Sequence, residues 1–307
     1  MKGDRGIALL NALIMVAAIS AVAAGLMLRA ETSRVRVEDL QISQQAALHL
    51  DAAEFLIDPV LRADWERDQN LDHLQEAWAR EPFDASIDRG LLRGAIRDLQ
   101  GRFNINSLSV PSDIAAAQSF ERLLRALGLP VDLGPEIAGY VQTRGPVRVA
   151  DYASRDVPVR PRREPMDRVE ELRLVRGMTE VHYARLLLHV AVLPPGTGLN
   201  VNTASAEVLG AVLPTANPAG IARFVAERAR LPFETRSDFT TRAEDLIHPQ
   251  AIAQAQVPDG GFTVASNWFE VTFELRLDGR VQSRILTVER SGLTGATKIE
   301  YRRAARP

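Results

Sequence analysis

Residues 7–28, IALLNALIMVAAISAVAAGLML, are 22 positions without one charge, set just behind Lys2, Asp4, Arg5 and Gly6. Rising about 1.5 Å per residue as a helix, the run is about 33 Å long, enough to cross a hydrocarbon core of about 30 Å. Its polar members, Asn11 and Ser20, cost far less in lipid than an ion would. The stretch reads as a membrane helix. A secretory signal is the rival reading, because Ala21-Val22-Ala23 supplies a small-x-small cleavage site that would give a mature start at Ala24. Against it, the apolar run ahead of Ala21 is long for a signal and the helical pattern does not stop there. Between Arg29 and Leu61 there is no Gly and one Pro, Pro59, while Leu40, Ala47, Leu50, Ile57 and Leu61 recur at helical spacings. One helix is expected to leave the bilayer and become amphipathic over 29–62, offering that stripe to partner helices.

The remaining composition is ordinary for a globular chain: 307 residues, 25% charged, 46% hydrophobic, net charge −2. That balance gives no general attraction to nucleic acid or to acidic substrates. With Cys at zero there is no disulfide framework, thiolate nucleophile or Cys-based zinc site.

Asp64, Asp68 and Asp72 fall four residues apart and are expected on one solvated helical face. Around Gln100-Gly101, the residues Ile96, Leu99, Phe103 and Ile105 read as a short β-hairpin. From Pro111 to about Val257 the pattern is helical, with a stop at Gly128 and Pro130 and a proline- and arginine-rich exposed loop over 144–167. Phe269, Val271, Phe273, Leu275 and Leu277 then alternate as a strand, and Asp278-Gly279 marks a hairpin whose return strand is Val281 to Val288. A further strand is expected from Thr297 to Tyr301. The segments expected are 1–6 leader, 7–28 membrane helix, 29–62 its amphipathic continuation, 63–110 first part of the sheet domain, 111–258 helical insertion and 259–307 closing strands.

Five stretches together resemble the K-type minor pseudopilin family (general secretion pathway protein K) of bacterial type II secretion systems. They are Arg5-Gly6-Ile7-Ala8-Leu9-Leu10, Leu74 to Ala79 with Glu76 and Trp78, Ile96 to Asn106, Glu171 to Met178, and Leu199-Asn200-Val201-Asn202-Thr203-Ala204. The resemblance implies an α+β, type IV pilin-like fold: a long N-terminal membrane helix on a small antiparallel sheet, interrupted by a helix-hairpin-helix or SAM-like insertion. It implies that a prepilin peptidase cuts after Gly6 and that the new N-terminus, Ile7, is methylated. It also implies a single-pass protein of the bacterial inner membrane with its C-terminal part in the periplasm. Its partners would be the I-type and J-type minor pseudopilins, the major pseudopilin and, as a further candidate, secreted cargo. Typical pilins carry Glu five residues after the cut, where this chain has Asn11, as other K-type members do. Without that carboxylate there is less need for a neighbouring subunit's terminal amine, which suits a subunit at the tip. Calcium in the globular domain is implied as well. Asp151, before Tyr152, matches an acidic position, whereas Gly139-Tyr140-Val141-Gln142-Thr143 stands where the family has an acidic Trp-Ile-Asp type of segment, and acids nearby are sparse.

The runner-up is a membrane-anchored helix-hairpin-helix DNA-binding protein of the competence type. Asn200 to Leu209, followed by Arg228 and Pro232-Phe233, resembles that motif, but Pro214-Thr215-Ala216-Asn217-Pro218 lacks the glycine whose backbone amides would hold phosphate. An enzyme is the third class. His49, His73, His182, His189 and His248 form no HExxH pair, and no GxSxG elbow, Walker loop or dinucleotide fingerprint occurs. The sequence therefore points to a non-enzymatic assembly protein at the pseudopilus tip, without nucleic acid as a partner.

Overall fold

A computed structural model describes residues 4–80, 82–154 and 157–305, with side chains described within 10–304. The chain runs α1 (Asp4–Glu54), α2 (Ile57–Arg67), α3 (Ala77–Arg80), β1 (Phe83–Ile87), β2 (Gly90–Asp98) and β3 (Phe103–Asn104). A 3-10 turn (Ile105–Ser109) leads to α4 (Ile114–Ala126), α5 (Leu133–Val141) and α6 (Val149–Ala153). A second 3-10 turn (Val169–Leu174) precedes α7 (Glu180–Leu187), β4 (Val190–Ala191), β5 (Leu199–Asn200), α8 (Ala206–Val212), α9 (Pro218–Arg228) and α10 (Arg236–Leu246). The chain closes with β6 (Phe262–Thr263), β7 (Trp268–Leu277), β8 (Arg280–Arg290) and β9 (Thr297–Ala305).

The main sheet is antiparallel with strand order β1-β2-β7-β8-β9. Its inward row, Phe269, Val271, Phe273, Leu275 and Leu277, is buried because alternate strand residues face one side, and that side meets α1. At the β7–β8 turn Asp278 and Gly279 both take positive φ, 49° and 77°, as the expected tight hairpin requires. The other hairpin lies elsewhere than the sequence implied. β2 turns back on β1 through Asp88-Arg89, whereas β3, after Gln100-Gly101, pairs in parallel with β4. Gly101 serves a close approach instead, since a Cβ there would sit 2.8 Å from the Thr203 backbone.

β2 leaves the sheet at Asp98 and β7 re-enters it opposite, Asp98 pairing with Phe269, so residues 99–267 hang from one end of the sheet. They form a separate helical core around Phe120, Leu123, Tyr152, Leu186, Leu209 and Phe224. Five of its helices start with a side chain that accepts an amide N–H at the N-cap: Asp113, Thr179, Ser205, Asn217 and Thr235. Gly128 stops α4 region as expected, with φ at 62°. The expected single helix to Leu61 is broken at Phe55-Leu56, and α2 ends at Arg67.

Candidate functional site

The long helix buries one apolar face and leaves large apolar residues exposed among polar ones on the other. Ile42, Ala46, Leu50, Ala53, then Ile57 and Leu61 of α2, are buried against the sheet. Val37, Leu40, Leu48 and Phe55 stand in solvent, Phe55 at 81% exposure. At about 100° per residue, Val37, Leu48 and Phe55 fall within roughly 20° of one another and on the side away from the buried row. The stripe expected for partners thus needs correction. Leu50, Ile57 and Leu61 are consumed by the chain's own sheet and Ala47 is half-buried, leaving Leu40 as the one member well exposed. Spacing identified an apolar face but not what covers it.

A polar seam joins the two cores. Arg290, the last residue of β8 and 1% exposed, donates through Nη2 to Asp72 Oδ1 and Oδ2 (2.6 and 2.7 Å) and to the Ser266 carbonyl (2.8 Å). Its Nη1 donates to Asp64 Oδ2 at 3.2 Å, and its guanidinium lies 4.8 Å from the centre of the Phe269 ring. Ser266 bridges two acids: its amide donates to Asp72 and its hydroxyl to Asp98, both at 2.7 Å. Asp98 also accepts from Asn200 Nδ2, Thr203 Oγ1 and the Gln100 amide. Gln100 in turn accepts from the Asn267 amide at 2.6 Å and donates to the Gly198 carbonyl at 3.0 Å. Glu76 takes the indole N–H of Trp78 at 2.7 Å and the amide of His73 at 3.0 Å.

Asp64 and Asp72 are not on the solvated face expected from their spacing, whereas Asp68 is exposed as expected. α2 stops before Asp68, which frees Asp72 to turn inward toward Arg290. Burial raises Asp64 and Asp98, opposed by Arg290 for Asp64 and by the Ser266 and Thr203 hydroxyls for Asp98. Burial also pushes Asp72 and Glu76 up to about 7, against the pull of Arg290 on Asp72 and of the His73 amide on Glu76. The sequence reading missed Asp98 and Arg290 as partners. The available signal was weak: an acid and an arginine, each at a strand end.

Two family models, both described as type II secretion system (T2SS), protein K, match residues 101–195 and 199–257. A type II secretion system protein K from Pseudomonas aeruginosa is 31% identical over 98% of this chain and 93% of its own length. The chain belongs to the type II secretion system protein K family. A protein K from Aeromonas hydrophila is 31% identical over 66% of this chain and 68% of its own. The solved GspK-GspI-GspJ complex from enterotoxigenic Escherichia coli contains a chain of similar fold, with TM-score 0.76 and 21% identity, covering 89% of this chain and 100% of that one.

Seen within the protein K family, three of the five quoted stretches have a shared place. Glu76 and Trp78, Asp98 and Gln100, and Asn200 and Thr203 lie far apart in sequence and meet at the seam. The helix-hairpin-helix residues also turn inward. Asn202 bonds the backbone N–H and C=O of Phe233 at 2.9 and 3.0 Å, and buried Arg228 donates to the carbonyls of Val201 and Ala204. They brace the fold, leaving little of the motif to hold phosphate. Gly6 and Ile7 lie in the first turns of α1, and residues 1–3 of the expected leader lie outside the described residues. Asn11 is exposed on α1, inside the one described helix that is long and apolar enough to cross a membrane.

The donor set does not suit calcium, which takes six to eight oxygens. Among the described residues, one group of three acids could converge on an ion, Asp64, Asp72 and Glu76, and Arg290 already binds two of them. Asp151, the position matched through the resemblance, instead lies 3.7 Å from Arg176.

Proposed function

We propose that this chain is a minor pseudopilin at the tip of the type II secretion pseudopilus, priming its assembly in the inner membrane and supporting export of folded proteins across the outer membrane. The observation that carries this reading is where the helical unit sits. Asp39 pairs with Arg280, Glu54 with Arg284 and Asp64 with Arg290, so β8 runs away from the membrane stretch in step with α1 and α2. Residues 99–267 hang from the sheet end beside Arg290 and add their bulk at the far end of the subunit. A broad cap there ends a stack of pilin-like subunits. Asn11 fits the same place, because it carries no carboxylate that would need an amine from a subunit above.

In this reading α1 is a single-pass anchor with the remainder in the periplasm, a prepilin peptidase cuts after Gly6, and Ile7 is methylated. Companion I-type and J-type pseudopilins pack on Val37, Leu40, Leu48 and Phe55, large apolar side chains left exposed on the outward side of the helix. The solved GspK-GspI-GspJ complex supports that choice of partners. This reading calls on neither nucleic acid nor catalysis.

Because the chain has no Cys, cross-linking sites can be placed singly without background. Cys at Phe55 should cross-link to a companion pseudopilin, while Cys on the outer helical unit should find no subunit above. Recovery of this chain mainly at internal positions, cross-linked both above and below, would refute the tip assignment. N-terminal sequencing should return Ile7 as the first residue; a start at Ala24 would show signal-peptide cleavage.

A further inference from the structure

Residues 136–176 are tied together by arginines where a hard cation would need free carboxylates. Arg176 donates to Glu136 on α5 and lies 3.7 Å from Asp151 on α6, while its own amide donates to the Tyr152 hydroxyl at 3.0 Å. One side chain therefore bridges two helices and the turn that precedes α7. Arg162 is a second clamp. Its guanidinium reaches Asp167 at 2.6 Å, Glu171 at 3.2 Å and Glu164 at 3.7 Å. Glu171 also accepts the amides of Asp167 and Arg168 at 2.9 and 3.0 Å, which closes the 3-10 turn. Glu170 completes the set by pairing with Arg303 of β9 at 2.8 Å.

Each described carboxylate from residue 136 to 171 thus lies within 4 Å of an arginine nitrogen, Asp151 and Glu164 at 3.7 Å. The field in the loop is positive as well: residues 143–168 contain seven arginines against four acids, and Arg144, Arg148, Arg160 and Arg163 are exposed. An approaching divalent cation meets repulsion and ligands already in use. The backbone has its own fastenings, Arg163 N–H to the Tyr140 carbonyl at 2.8 Å and Val159 N–H to that of Tyr152 at 3.0 Å.

We propose that Arg176 and Arg162 are built-in cations that hold residues 136–176 in shape, so that this member of the family keeps its helical unit folded without the calcium ion the family resemblance implies. A guanidinium suits the task because it stays charged at every physiological pH and presents several donors in a fixed plane. Its carboxylate pairs are directional, so the clamp also sets the orientation of the segments it joins.

The test uses the full chain in detergent micelles, with amide exchange read over residues 143–168 and thermal unfolding read globally, in millimolar CaCl2 and in EDTA. Both readouts should be the same in the two conditions. Arg176→Met should speed exchange in this segment by about tenfold or more, the response expected when a clamp on a local opening is released, with Arg176→Lys falling between. If Arg176→Met does not fold, Arg162→Met is read in the same way. Slower exchange or a melting point raised by several degrees in calcium would overturn the proposal, as would an Arg variant that exchanges like the wild type.

Discussion

The two faces of the long helix both carry large apolar residues and meet different surroundings. On one, Ile42, Ala46, Leu50, Ala53, Ile57 and Leu61 are sealed under the sheet; on the other, Leu40, Leu48 and Phe55 stand in solvent. Hydrophobicity alone does not distinguish them. What separates them is angle: the sheet can cover only one side of a cylinder, and the side it leaves is available to another helix. The buried face ends at Leu61, whose carbonyl accepts from Arg290, and there apolar cover gives way to the polar seam.

The largest effect is expected at that end. Arg290→Met removes the cation from Asp64 and Asp72 and should lower stability by about 3–5 kcal/mol, as when one partner of a buried ion pair is lost. The loss should be greater at pH 8 than at pH 5, where the acids can protonate, and denaturant unfolding at the two pH values checks this. An equal loss at both would show that packing, rather than charge, dominates the seam.

Next in size is the buried face itself. Leu61→Ala, at a side chain with 0% exposure, should cost about 2–5 kcal/mol through lost burial and the cavity left behind. The same measurement on Leu40→Ala gives the comparison its sharpest form, since that change should stay within about 0.5 kcal/mol.

A smaller effect should follow pH in the unmutated chain. In the folded state Asp72 and Glu76 hold protons up to about 7, against 3.8 and 4.5 for the ordinary groups. Between about pH 4 and 7 they bind more protons folded than unfolded, so their contribution falls as pH rises through that window and is level above it. Asp58 and Glu207, both held low, act in the opposite sense toward the acid end, and His73 and His189, which burial holds below the ordinary 6.5, offset part of the fall as pH rises through about 6.5. Thermal unfolding should therefore give a melting point a few degrees higher at pH 6 than at pH 8, and Glu76→Gln should flatten the difference.

The smallest change in stability, with the clearest change in assembly, belongs to Phe55→Ala. Folding should shift by no more than about 0.5 kcal/mol, while co-purification with the proposed I-type and J-type partners should weaken. Unchanged recovery of both partners would remove the exposed face from the assembly surface.

Much of the fold was legible in the chain. The apolar run at 7–28, the alternation from Phe269 to Leu277 and the Asp278-Gly279 turn are local signals, set by backbone geometry and solvent within a few residues, and each appears where expected. The five quoted stretches carried the family before any contact was known. Other features depended on long-range partners. The fate of Leu50 and Leu61 was decided by strands more than 200 residues later, and Gln100-Gly101 became a passage between cores because Phe103 found Val190 instead of its own neighbour in sequence. Asp72 looked solvated until the helix ended at Arg67 and Arg290 arrived from the far end of β8. Sequence determines such residues' chemistry; which charge or face lies opposite is fixed only when distant segments pack, since burial and ion pairing act through space and not along the chain.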